Sequence, residues 1–341
     1  MSTLRKDPIT GRWVIFIEDR RRRNRHLPHQ YQEAQEDKEC PFCEGKEHLT
    51  PPEILAFRKE NTQPNMAGWT LRIIPDRFPI LKVEEKFESK GIGMYDIMNG
   101  LGAHEIVVEN NVHSATYETL PIKKIMDIFW AYQQRINDLK KDVRMKYILV
   151  SKNFGTKAGA LMPLLHPHSH LITYSFIPYV PQLECDGAKA YWDFHNRCIY
   201  CDMVSQELDS PNERIIYSND EFIAISPFAS RFPYEMWIIP VKHNYIFSGD
   251  DKLFESLAIT FKELIIRMNA VLFIPPYNLV IHSAPLSEEF SNYYHWHIEV
   301  RPRISQTAGF EWGSGTYINA VFPEIATQEL KQIDVKSLFE Y

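Results

Sequence analysis

The chain has 341 residues, 44% hydrophobic and 24% charged, with a formal net charge of −6. That composition excludes a mainly disordered chain, and at roughly 150 residues per domain the length suggests two domains. The acidic balance gives no general attraction to nucleic acid or anionic lipid. No apolar run approaches the ~18 residues of a membrane-spanning helix, and the opening MSTLRKDPITGRW lacks the apolar core of a signal peptide, so a cytoplasmic location is expected.

In chain order, the first dense feature is the basic run at residues 20–23 with Arg25. It reads either as a solvated loop or as a guanidinium clamp for an anion. Cys40-Pro-Phe-Cys43 follows; without a secretory signal such a pair is a metal-ligand or redox pair rather than a structural disulfide. The segment 103–110, AHEIVVEN, predicts a strand. Ile122, Ile125, Met126, Phe129, Ile136 and Leu139 recur at helical spacing and predict a helix over 120–142. YILVS (147–151) predicts another strand, followed by a glycine-bearing loop, Asn153 to Ala160, whose backbone amides suit a phosphate. His166-Pro-His168-Ser-His170 then alternates three imidazoles on one face of a strand, continued by LITY (171–174).

After a proline-bearing joint around 177–190, the pattern returns. Cys198-Ile-Tyr-Cys201 is followed by YEMWIIP (234–240) as a strand. Leu253, Leu257, Phe261, Leu264 and Met268 predict a helix over 251–272. YNLVIH (277–282) and IEV (298–300) predict strands around His295-Trp-His297. Glu105 and Glu235 each stand eight residues before His113 and His243, and the His113–His166 and His243–His295 gaps differ by one residue. Markers in the same order at near-equal spacing are the signature of a duplication. The expected fold class is α+β: two histidine-triad-like units, 1–185 and 186–341, each an antiparallel sheet with a long packing helix. Cys185 has no counterpart in the repeat.

Two thiolates from one turn plus two distant imidazoles make a tetrahedral zinc set. The duplication points to Cys40, Cys43, His113 and His166 in the first half, and to Cys198, Cys201, His243 and His295 in the second. Neither C-x-x-C pair opens a helix after a βαβ strand, which argues against a redox dithiol. In the histidine strand, one imidazole can bind metal while another stays free as nucleophile or base.

The H-x-H-x-H run behind a glycine loop resembles the histidine triad superfamily of nucleotidyl hydrolases and transferases. The duplication, Asp7-Pro-Ile-Thr-Gly-Arg-Trp13, Cys40-Pro-Phe-Cys43, Pro75-Asp-Arg-Phe-Pro79 and Gly309-Phe-Glu-Trp-Gly-Ser-Gly315 resemble its galactose-1-phosphate uridylyltransferase branch. Features of the ADP-glucose phosphorylase-like relatives are also present. The resemblance implies a ping-pong transfer of a nucleotidyl group from a nucleoside-diphosphate sugar to His168 and then to a sugar 1-phosphate, UDP-glucose and galactose 1-phosphate being the family pair. The alternative is an ADP-sugar or dinucleoside polyphosphate phosphorylase or hydrolase. It further implies substrate contacts from Arg20, Arg23, Asp76, Asn153, Gly155, Gly159, Ala160, Phe310, Gly313 and Gly315. Two zinc ions per chain and a homodimer are implied as well. Some members hold the second metal with a Glu and three His, which here would be Glu184, His282, His295 and His297; the repeat favours the cysteine set. One departure falls beside the phosphate: where the transferases carry Gln two residues after the nucleophile, this chain has His170. An amide there can donate to the phosphate. An imidazole can also act as a base, which predicts leakage of the covalent intermediate to water.

Overall fold

The duplication expected from the marker spacing is laid out in the strand order. The computed structural model describes residues 2–17, 40–160, 165–209 and 213–338. Its strands are β1 (Ser2–Lys6), β2 (Trp13–Ile17), β3 (Leu55–Arg58), β4 (Trp69–Pro75), β5 (Ser89–Ile92), β6 (Tyr95–Met98), β7 (His104–Val108), β8 (Tyr147–Phe154), β9 (His168–Tyr174), β10 (Ile215–Ser218), β11 (Phe222–Ile225), β12 (Met236–Pro240), β13 (Tyr277–His282), β14 (His297–Pro302) and β15 (Tyr317–Asn319). Ten of them form one antiparallel sheet in the order β10-β11-β12-β14-β13-β8-β9-β7-β4-β3. Read inward from either edge, the connectivity is the same: β3, β4, β7, β9, β8 in the first half and β10, β11, β12, β14, β13 in the second. The halves meet at β8 and β13, paired antiparallel with Asn278 opposite Asn153. The fold is α+β, and the predicted strands form, except that the histidine strand starts only at His168, so His166 lies before it and turns to Cys40 and Cys43 instead of sharing its face.

Helix Ile122–Leu139 lies within the predicted 120–142, and helix Asp251–Leu272 matches its predicted span. Asp250 caps the latter by accepting from the Leu253 amide, satisfying one of the free donors of a helix start. The two helices pack on each other and on one face of the sheet, burying Phe129, Tyr132, Phe254, Leu257 and Phe261. Each large apolar side chain so buried contributes about 1.5–3 kcal/mol, and this shared layer fuses the halves into one core. The opposite face is covered differently in each half. In the first half it carries Cys40, Phe42, Trp69, Ile106 and Val108. In the second, helices Tyr179–His195 and Ile199–Asp209 close over Ile223, Ile225 and Trp237. A small sheet of β1, β2 and β15 joins both chain ends, with β15 parallel to β2.

Candidate active site and metal centres

β9 alternates, and its partners show which way each residue points. The Ser169 hydroxyl hydrogen-bonds Tyr132 of helix Ile122–Leu139 at 2.7 Å. His168 and His170 therefore face the opposite side, where the His168 ring lies 5.3 Å from Phe42 and 5.3 Å from His170. Both imidazoles are half-buried. The Nδ1–H of His168 donates to the His166 carbonyl at 2.7 Å. A carbonyl only accepts, so the proton is on Nδ1 and the free lone pair is on Nε2. Burial pushes the His168 pKa down to about 4, so the ring is neutral at physiological pH.

The strand is braced from beneath. Lys152 on β8 donates to the His168 carbonyl at 3.2 Å and to buried Glu109 at 2.5 Å. Glu109 also accepts from the hydroxyls of Tyr117 (2.9 Å) and Tyr132 (3.2 Å). This network was missed from sequence; the signal available was a lysine and a glutamate at the ends of two apolar strands. Beside β9, Asn153 precedes the glycine loop. Gly155 and Gly159 take φ of +79° and +101°, conformations that favour glycine. The amides of Ala158 and Ala160 close the turn on the Gly155 carbonyl, and that of Gly159 closes on Thr156. Asn278, from the second half, donates to Asn153 Oδ1 and to the Ala158 carbonyl, both at 2.7 Å. It was not singled out from sequence either.

His170 has a neighbour that sequence reasoning also passed over. Its Nδ1 lies 3.0 Å from Nε2 of buried His104 on β7. Asp76 Oδ2 is 3.3 Å from His104 Nδ1, while its Oδ1 accepts from the Phe78 amide at 2.7 Å. Asp76, expected to touch substrate, thus stands beside His170. The signal for His104 lay in the period-2 pattern of β7, where it shares a face with Ile106, the register partner of His170.

Both cysteine sets are assembled. Cys43 Sγ is 3.4 Å from His113 Nδ1 and 3.6 Å from His166 Nδ1, and Cys40 Sγ is 3.9 Å from His166 Nδ1. In the second half, Cys201 Sγ is 3.3 Å from His243 Nδ1 and 3.6 Å from His295 Nδ1, with Cys198 in the same group. His166 Nε2–H donates to the Asn110 carbonyl at 2.6 Å and His243 Nε2–H to the Ser291 carbonyl at 2.7 Å. Each therefore keeps a bare Nδ1 aimed at the sulfurs, the arrangement that orients a metal-binding imidazole.

The set Glu184, His282, His295 and His297 is corrected. His295 precedes β14 and turns to Cys201, and Glu299 takes the fourth place in the cluster with Glu184, His282 and His297. That cluster is an ion network. His282 lies between Glu184 (3.1 Å) and Glu299 (3.4 Å). Burial alone would lower its pKa, but the two carboxylates raise it to about 9. Arg231 holds both oxygens of Glu299 at 2.8 Å, and Arg301 pairs with it too. With His282 between two carboxylates and Glu299 held by two arginines, the cluster is already charge-paired within itself.

Phe310, Gly313 and Gly315 belong to the exposed helix Gly309–Ser314 and its cap, packed on β15 of the small sheet. No hydrogen bond or ring contact joins them to β9 among the described residues. Arg20 and Arg23 lie outside the described residues.

The N-terminal domain of the family "Galactose-1-phosphate uridyl transferase" matches residues 1–178, and its C-terminal domain matches residues 184–312. The chain belongs to the galactose-1-phosphate uridyl transferase family. It is 34% identical over 97% of its length to 93% of an ADP-glucose phosphorylase of Arabidopsis thaliana. It is 28% identical over 98% of its length to all of a galactose-1-phosphate uridylyltransferase of Thermotoga maritima. A crystal structure of an ADP-glucose phosphorylase from Arabidopsis thaliana with bound ADP-glucose superposes with a TM-score of 0.82 and 32% identity, covering 98% of this chain and 100% of that one. The family is enzymatic, and the relatives named galactose-1-phosphate uridylyltransferase are transferases. No helix among the described residues is long and apolar enough to cross a membrane.

Proposed function

We propose that this protein moves a nucleoside monophosphate from a nucleoside-diphosphate sugar to a phosphate-bearing acceptor through Nε2 of His168. The observation that carries this reading is the 2.7 Å hydrogen bond from His168 Nδ1–H to the His166 carbonyl. It leaves a neutral imidazole with its lone pair on the nitrogen facing away from its own backbone. In the first step Nε2 attacks the nucleotidyl phosphorus, and the bond to the sugar phosphate breaks with its electron pair on the departing oxygen. In the second step the acceptor phosphate oxygen displaces Nε2, and the P–N electron pair returns to the ring. Two displacements between similar partners keep both steps near balance. The family supports UDP-glucose and galactose 1-phosphate as the substrate pair. A second pair, ADP-glucose with inorganic phosphate, is supported by the similarity to the Arabidopsis phosphorylase.

In this reading Asp76, Asn153, Gly155, Gly159 and Ala160 border the nucleotidyl phosphate, and Arg20, Arg23, Phe310, Gly313 and Gly315 complete substrate binding. The bare Nδ1 atoms and paired sulfurs fit zinc in each cysteine set, held by Cys40, Cys43, His113 and His166, and by Cys198, Cys201, His243 and His295. Such ions would tie the N-terminal loop and helix Ile199–Asp209 to the sheet, a structural role. Residues 1–185 then carry the chemistry and 186–341 the supporting unit, with helix Tyr179–His195 spanning the boundary and lending Glu184 to the second unit, in a cytoplasmic homodimer.

Incubation with labelled UDP-glucose and, separately, ADP-glucose tests this. The expected result is acid-labile, base-stable label on His168, with the more efficient donor identifying the base. Undiminished turnover in His168→Ala overturns it.

A further inference from the structure

His170 stands where the transferase pattern has glutamine, and its chemistry depends on which ring nitrogen holds the proton. With the proton on Nδ1 it presents a bare Nε2, a base beside the phosphorus. With the proton on Nε2 it presents a donor, as an amide would. The contacts around His104 decide between them.

The Ile80 amide donates to His104 Nδ1 at 3.4 Å. A backbone N–H can only donate, so this Nδ1 carries the lone pair, and the proton of the neutral ring is on Nε2. Burial lowers the His104 pKa, against an opposing pull from Asp76, which keeps the ring neutral at physiological pH. His104 Nε2–H therefore donates across the 3.0 Å contact to His170 Nδ1. His170, whose own pKa burial pushes down to about 4, then holds its single ring proton on Nε2. Asp76 Oδ2, 3.3 Å from His104 Nδ1, favours the opposite assignment, because a carboxylate attracts a proton to that nitrogen. But a proton there would face the Ile80 N–H donor to donor, and would leave that amide without its acceptor.

We infer that His104, set by the Ile80 amide, is a positioning residue that fixes His170 as an Nε2–H donor toward the nucleotidyl phosphate. His170 thus replaces an amide donor with an imidazole donor. The nitrogen nearest the phosphate is then not a base, so the covalent intermediate is protected from water, contrary to the leakage expected from sequence. The chain Ile80–His104–His170 extends the orienting logic applied to catalytic imidazoles, where a contact on one ring nitrogen decides the state of the other. The consequence for the reaction rests on the nucleotidyl-His168 reading; the proton assignment does not.

Two measurements test it. In the full-length protein labelled with 15N-histidine, long-range 15N–1H correlation should show His170 protonated on Nε2 and bare on Nδ1; the reverse pattern overturns the inference. His104→Phe keeps a ring but removes both nitrogens. Formation of the nucleotidyl-enzyme should then slow roughly 100- to 1,000-fold, the range for losing one preorganised donor, with donor KM changed less than about threefold. His104→Gln, whose amide can donate to His170 Nδ1, should recover most of that loss. Equal rates in wild type and His104→Phe, or no recovery in His104→Gln while both variants keep the wild-type circular dichroism and melting temperature, overturns it. If the wild type forms no acid-labile nucleotidyl-enzyme, the functional reading falls, while the spectrum still judges the proton assignment.

Discussion

His168 and His297 occupy the same place in the repeated strands β9 and β14, and both have Nδ1 tied to the carbonyl two residues earlier, at 2.7 and 3.2 Å. Their surroundings differ. His168 is half-buried beside Phe42 and His170, next to the glycine loop. His297 has no exposure and lies flat against His282, the rings 4.7 Å apart and 5° from parallel, with Tyr200 and Trp237 also packed on it. Glu184 and Tyr294 seal that side, bonded to each other at 2.8 Å. Fixing the ring is therefore not enough to distinguish the proposed nucleophile from its counterpart. What separates the two is access for a phosphate and the absence of a neighbouring imidazolium.

The comparison breaks most visibly by deleting each imidazole in turn. His168→Ala should abolish nucleotidyl transfer, by roughly 1,000-fold or more, with fold and metal content retained. His297→Ala should still form the labelled intermediate while lowering the melting temperature. Loss of labelling in His297→Ala, with the fold intact, would give the second half a direct part in the chemistry.

The cysteine sets should behave alike in the two halves, because structural zinc binding is largely folding free energy. Two zinc ions per chain are expected by elemental analysis. Cys40→Ser and Cys198→Ser should each remove one ion and unfold the protein at lower temperature. Zero zinc, or disulfides in freshly purified protein, would refute both sites together.

Next is the ion network beside His297 in the second half. Glu184→Gln leaves His282 short of one carboxylate and should destabilise in chemical denaturation, by less than the about 3–5 kcal/mol of a buried charge left wholly unpaired, because Glu299 remains. The same network has a pH signature. The His282 pKa is raised to about 9, so its stabilisation is fully present below the ordinary histidine value of about 6.5. It is lost as pH rises through about 9. Stability should therefore fall between pH 7 and about 9.5, and Glu184→Gln should flatten that slope.

The smallest effect is on the catalytic side. With the His168 pKa lowered to about 4, labelling in rapid-mixing experiments should stay near constant from pH 8 to about 5 and decline only toward 4. A midpoint near 6.5 would mean the imidazole is not buried as the structure has it.

Much of this was legible because the duplication wrote it twice. Alternation and helical spacing placed β7, β8, β9 and the two long helices, and paired markers placed both cysteine sets. What stayed hidden depends on contacts between segments far apart in sequence. His104 reads as one more strand residue until β7 is laid beside β9. Asn278 gains its role only when β13 meets β8. Glu299 replaces His295 in the second cluster because His295 lies before β14 begins and turns to the sulfur of Cys201 instead. The family pattern alone could not show that exchange.

The seam between β8 and β13 has an evolutionary corollary. Were the ten-stranded sheet assembled from two identical subunits, every substitution would appear on both sides of the axis, and the two sites could only stay alike. With both copies on one polypeptide, each strand can change alone. Here one half has a half-buried imidazole at this place, and the other has a buried one packed beside Glu184, Tyr294 and an arginine-held carboxylate. The second half is not idle in this scheme. Through Asn278 it holds Asn153 and the adjoining loop, so variation in the second half can tune the reaction proposed for the first.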